Sequence, residues 1–75
     1  MRVNDLGKKL AEDLAAAGPS DRAVTIHLFG IKYADHIGSA ATQVAIAAGI
    51  SEKYGTEIRK GMKLAKFVSL REPLR

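Results

Sequence analysis

Ser51, Glu52, Lys53, Thr56, Glu57 and Lys60 bring hydroxyl, carboxylate and ammonium groups together at intervals of three and four residues, the spacing that places side chains on one face of a helix. Hydroxyl and ammonium groups donate to phosphate oxygens and to the acceptor atoms of base edges, and a carboxylate can accept from a cytosine amino group. Lys63 follows one turn after Lys60, and Gln43, with Thr42 beside it, precedes the set. Lys60, Lys63 and Arg71 suit phosphate contact, which adds affinity without sequence information. Thr42 and Gln43 fit either a phosphate contact or a capping role. Glu57 lies within a turn of Lys53 and Lys60, so its first expectation is an intrahelical ion pair worth about 0.2–0.5 kcal/mol.

Those groups need a scaffold, and residues 40–61 read as two short helices joined by a glycine turn. Helices that cross steeply touch at one point, where only a small side chain fits, and Ala45 supplies it. Gly49 falls where the first helix must stop and the chain must reverse, a place that favours positive φ. Ile50 plugs the turn, and Ser51 is the expected N-cap of the second helix. Val44, Ala48 and Ile58 complete an apolar seam. Gly55, one turn before Ile58, removes a core side chain and is expected to weaken the helix by up to about 1 kcal/mol relative to alanine, with Tyr54 filling the space.

The order Ala45, Gly49, Ile58 and then Arg59-Lys60-Gly61 resembles the helix-turn-helix of phage repressor and Cro-like (Xre-type) regulators. More loosely, the run Ile26-His27-Leu28-Phe29-Gly30-Ile31-Lys32-Tyr33-Ala34 followed by this turn is similar to small HTH-like domain proteins of bacteria and phages. These resemblances imply a helix-turn-helix fold and a role in transcription regulation or in phage and mobile-element biology.

Elsewhere, Asn4 is the expected N-cap of a first helix in which Leu6, Leu10, Leu14 and Ala17 recur at helical spacing until Gly18-Pro19 stops it. Ser20 or Asp21 caps a second, with Val24, Leu28, Ile31 and Ala34 as its apolar stripe and Phe29 and Tyr33 widening it. Val24, Ile26 and Leu28 also alternate as a strand would, but Ile31 to Ala34 breaks that alternation and favours helix. Gly38-Ser39 ends this segment, and the first helix of the motif is expected over residues 40–48. In the second, Tyr54, Ile58, Gly61, Met62 and Ala65 share one side and Lys53, Thr56, Glu57 and Lys60 the other. An unbroken helix would bring Leu64 and Phe67 among the lysines, so a bend is expected near Gly61. Residues 66–70 alternate as a short strand or packed tail, and 72–75 read as a frayed end. Tyr33, Tyr54, Phe29 and Phe67 are expected in the core.

The chain has 75 residues, 47% hydrophobic and 27% charged, a length and composition that suit one folded domain over 1–75 and not a disordered tail; the helical spacings above make it all-α with about four helices. So small a core favours pairing, through Leu6, Leu10 and Leu14 or through Leu64, Phe67 and Leu70. The net charge of +4 is unevenly placed: residues 53–71 hold six basic groups against Glu57 alone. With no cysteine and two histidines, neither a thiolate nucleophile nor a metal centre is expected, and no Ser-His-Asp arrangement or phosphate-cradling loop suggests an enzyme or a cofactor. His27 and His36 read as half-buried or surface side chains. No apolar run is long enough to cross a bilayer, and the cytoplasm is the default compartment. The expectation is therefore a cytoplasmic, nucleoid-associated protein that binds double-stranded DNA as a homodimer. The competing expectation is a protein-interaction module on the same fold, and a fragment of a larger protein is a further alternative.

Overall fold

Arg2, two residues ahead of the expected Asn4, stands at the N-cap of the first helix, α1 (Val3–Ala16). The Asp5 carboxylate accepts from the Arg2 backbone N–H at 3.2 Å, satisfying a donor that the first turn leaves unpaired. This computed structural model describes residues 1–68 and 70. After α1 the chain becomes extended at Ala17 and winds through a 3₁₀ turn (Pro19–Asp21), with proline at its start, where no N–H is required. The second helix, α2, is Arg22–Ile37; Asp21 occupies its N-cap without a side-chain cap bond, and the Thr25 hydroxyl donates to the Asp21 carbonyl oxygen at 2.8 Å. Helix thus prevails over the strand-like alternation of residues 24–28. The third helix, α3, is Ala41–Ala47, and a 3₁₀ turn (Glu52–Tyr54) leads into the fourth, α4 (Gly55–Leu64).

One apolar cluster joins all four helices: Leu6 and Leu10 from α1, Ile26, Phe29 and Ile37 from α2, Ala41, Val44 and Ala45 from α3, and Ile58 from α4. Leu14, Tyr33, Ala48, Ile50, Tyr54 and Met62 pack around it, but the space beside Gly55 is closed by Thr42 of α3 and not by Tyr54. Two expectations fail here. The buried ridge of α2 is Ile26, Phe29, Gly30 and Ile37, whereas Val24 is 55% exposed, because the ridge is set by the line along which α4 lies rather than by the most apolar stripe. Leu6 and Leu10 are fully enclosed in this core and are not available to a second subunit.

The α2–α4 crossing explains a third correction. Gly30 and Gly61 meet backbone to backbone: a Cβ on Gly30 would lie 3.0 Å from the Gly61 Cα, and one on Gly61 would run into the carbonyl oxygen of His27. Gly61 therefore serves close approach and does not break the helix, which continues to Leu64. Leu64, in the last turn, takes the placement foreseen for an unbroken helix and is 44% exposed, whereas Phe67 lies in the turn beyond α4, 83% exposed, and is not a core residue. Beyond α4, the Phe67 and Val68 N–H groups both donate to the Leu64 carbonyl, continuing a turn. Among the described residues of the 66–70 segment there is no strand. The frayed end expected at 72–75 and the phosphate contact expected of Arg71 lie outside the described residues.

Candidate nucleic-acid interface

The turn between α3 and α4 is built by hydrogen bonds that helix ends otherwise lack. Ile50 N–H donates to the Ala45 carbonyl at 3.2 Å and Gly49 N–H to the Ile46 carbonyl at 2.9 Å, the paired pattern of a Schellman ending. Gly49 has φ +80°, the left-handed conformation expected of it. Ser51 Oγ then accepts from Lys53 N–H at 3.3 Å, so the expected cap is present, although it caps the 3₁₀ turn before α4 rather than α4 itself. Ser51, Glu52 and Lys53 are consequently exposed at the entrance of α4 and not along its side.

Gly55, expected to be a loss for the core, is instead the contact point between α3 and α4. It is buried, and a Cβ there would lie 2.7 Å from Thr42 Oγ1 and 3.0 Å from the Thr42 Cα. This draws the first turn of α3 against the first turn of α4, with Gln43 exposed on the α3 side of the junction. Along α4, at about 100° per residue, the order around the axis is Arg59, Lys63, Thr56 and Lys60, an arc of about 100°. All four are exposed, while Gly55, Ile58 and Gly61 face inward. Thr56 and Lys60 thus share a surface as expected, and Lys63 lies with them, while Lys53 stays in the turn before α4. Arg59 joins them at the edge nearest α3. Its Nη1 donates to Thr42 Oγ1 at 3.3 Å and its Nη2 to Thr56 Oγ1 at 3.4 Å.

Glu57 lies at the other edge of this face. One carboxylate oxygen is 2.8 Å from His27 Nε2 on α2, and the other is 3.2 Å from Lys60 Nζ. The His27 hydrogen bond, and after it the one from Lys60, holds the Glu57 carboxyl below the usual carboxylate range. The expected ion pair with Lys60 is therefore present, and the carboxylate has both oxygens engaged. On α1, burial pushes the Asp13 carboxyl up, against the opposing charge of Lys32. At the mouth of the motif the Arg22 guanidinium sits 5.4 Å from the centre of the Tyr54 ring, a cation–π contact that ties α2 to the entrance of α4.

Sequence reading missed two partners. Thr56 and Arg59 are three residues apart, a spacing that signals contact on a helix, but Thr42 reaches Arg59 only because Gly55 brings the helices together. His27 is 30 residues from Glu57 and carries no local signal at all. It is half-buried, as expected, and His36 is exposed. Among the described residues, no three His, Asp or Glu side chains gather as a metal ion would require, and no helix is long and apolar enough to cross a membrane.

No curated protein and no solved structure matches this chain. The model of one family, described as the HTH-like domain, matches residues 2–71, nearly the whole length and all four helices. With its two glycine-linked helices, the chain belongs to the HTH-like domain family.

Proposed function

We propose that this chain binds duplex DNA by setting the exposed face of α4 into the major groove, and that it acts as a homodimeric regulator of transcription or a phage or mobile-element DNA-binding factor. One observation carries the reading: Arg59, Lys63, Thr56 and Lys60 form a continuous exposed arc, while Glu57, the one acid in α4, is bound by His27 and Lys60 at its edge. Such a face offers mainly donors and positive charge, the complement of phosphates and of purine acceptor atoms. Ser51, Glu52, Lys53 and Thr56 stand at the end that enters the groove first, and Gln43 on α3 faces the backbone. The Ala45, Gly49, Ile58 spacing and the Schellman turn support a Cro-like docking of the two helices. Pairing would use Leu64 and Phe67, which leave large apolar surfaces in water, Leu64 lying one turn after Lys60 beside the basic arc. We place the protein in the cytoplasm on the nucleoid, in a binding rather than a catalytic role.

The same exposed Leu64 and Phe67 favour a second reading, a protein-docking module whose partner covers them and meets the basic arc with acidic groups. Fluorescence anisotropy with a mixed-sequence duplex over a salt series separates the two. DNA binding predicts a log–log salt slope of about −0.9 per phosphate neutralised, reduced by about one unit in Lys60→Ala and in Lys63→Ala and unchanged in Lys8→Ala on α1. Absence of binding to any duplex at low salt would remove the DNA reading. Sedimentation of the wild type beside Phe67→Glu tests pairing.

A further inference from the structure

Arg59 is the one cation on the α4 face whose side chain is held in place by neutral groups. Lys60 is paired with Glu57, but among the described residues no carboxylate lies within ion-pair distance of Arg59. Its partners are hydroxyls on two different helices, Thr42 Oγ1 at 3.3 Å and Thr56 Oγ1 at 3.4 Å. Both oxygens accept from the guanidinium, so each hydroxyl keeps its own hydrogen to give. The guanidinium has five N–H groups, of which these contacts engage two. Every polar hydrogen left on the cluster is therefore a donor, and the full positive charge is not neutralised. Arg59 and Thr56 are exposed and Thr42 is half-buried, so the donors open outward where α3 and α4 touch.

We infer that Arg59, Thr42 and Thr56 form a clamp for a single phosphate diester of the DNA backbone, seated over the α3–α4 junction. The inference rests on the DNA reading above and adds which residues grip the strand. Two non-bridging oxygens can accept from the three N–H groups that remain on the planar guanidinium, and the hydroxyl hydrogens complete the shell. The two threonines keep the fork oriented before the strand arrives, so less side-chain freedom is lost on binding than for a lysine at the same place. The position also favours phosphate over a base: Arg59 is at the edge of the arc beside α3, whereas Thr56 and Lys60 occupy its middle and far side. The junction depends on Gly55, since any larger residue would push Thr42 away from α4.

The test uses the full chain and measures anisotropy on two duplexes, one of mixed sequence and one obtained by selection, across a salt series. Variants are Arg59→Gln, Thr42→Val and the double substitution, with circular-dichroism melts to establish that each folds. The clamp predicts that Arg59→Gln weakens both duplexes alike, by roughly tenfold, and makes the salt slope shallower by about 0.9. Thr42→Val, a neutral and nearly isosteric change, weakens binding about threefold with the slope unaltered. In the double variant the Thr42 change adds nothing further, because the hydroxyl acts through the arginine. Three results overturn the clamp while leaving DNA binding intact: Arg59→Gln equal to wild type where Lys60→Ala and Lys63→Ala weaken; loss confined to the selected duplex, which marks a base contact; or full additivity of the two changes. Failure of the wild type to bind either duplex at low salt overturns both readings.

Discussion

Replacing Gly61 with alanine pits two known effects against each other at one position. In an exposed helix interior the change stabilises by about 1 kcal/mol, because alanine restricts the unfolded chain and favours helix. At Gly61 the added methyl meets the His27 carbonyl, with the His27 carbonyl carbon at 3.0 Å and the Gly30 Cα at 3.1 Å. These are backbone atoms, which cannot rotate aside as a side chain would, so relief requires α2 and α4 to separate. Overpacking of that kind costs about 1–3 kcal/mol, and a rigid backbone neighbour points to the upper part of the range. The expected net loss is about 1–2 kcal/mol, a fall in melting temperature on the order of 10 °C for a domain this small. Gly30→Ala probes the same crossing from the other side, with its Cβ 3.0 Å from the Gly61 Cα. Once the helices have moved apart for one methyl, the second finds room, so the double variant should lose less than the sum. Gly18→Ala is the control: its φ of −72° suits any residue and nothing lies within 4 Å of the new Cβ, so it should be neutral or slightly stabilising. Thermal and urea unfolding followed by circular dichroism decide the matter. A Gly61→Ala chain as stable as the wild type, or more so, would refute the backbone crossing.

Two further outcomes follow from the same geometry. Glu57 has its carboxyl held below the ordinary value of 4.5, by His27 first and Lys60 second, so its stabilising effect is complete above that value and is lost as pH falls through it to the lowered folded value. Urea unfolding between about pH 3 and 7 should show a steeper acid decline for wild type than for Glu57→Gln, and identical profiles would sink the assignment. Gly49→Ala forces an L side chain to φ +80° and should destabilise by about 1–2 kcal/mol, although nothing crowds its Cβ; an unchanged midpoint in urea would mean that the turn can relax to another conformation.

The elements of this fold that depend on local chemistry were legible in advance. Gly49 needed positive φ, Ser51 was placed to cap, and Val44, Ala45 and Ile58 recur at spacings that a buried seam requires. What could not be read was which glycine meant which thing. A glycine in a helical pattern signals a break, a weak point or a close contact by the same letter, and only the position of the partner helix distinguishes them. Gly61 was expected to interrupt α4 and Gly55 to weaken it, yet both turned out to be contact points. Val24 failed for a related reason: periodicity finds an apolar stripe, but burial depends on whether another helix covers that end of it, and there Val24 meets water. Of the candidate site, the shared face of Thr56, Lys60 and Lys63 follows from the helical repeat alone. The reach of Arg59 to Thr42 and of Glu57 to His27 depends on interhelical distances that no local pattern encodes.

The inward surface of α4 is made from Gly55, Ile58 and Gly61 with Met62 packed beside them, so its fit to the body of the protein rests on few positions. Thr56, Lys60 and Lys63 contribute no side chain to that fit. A helix so attached leaves its outer face interchangeable. Its outer residues can drift or be redesigned over generations, changing the chemistry that the face offers, while the mount that holds it stays the same.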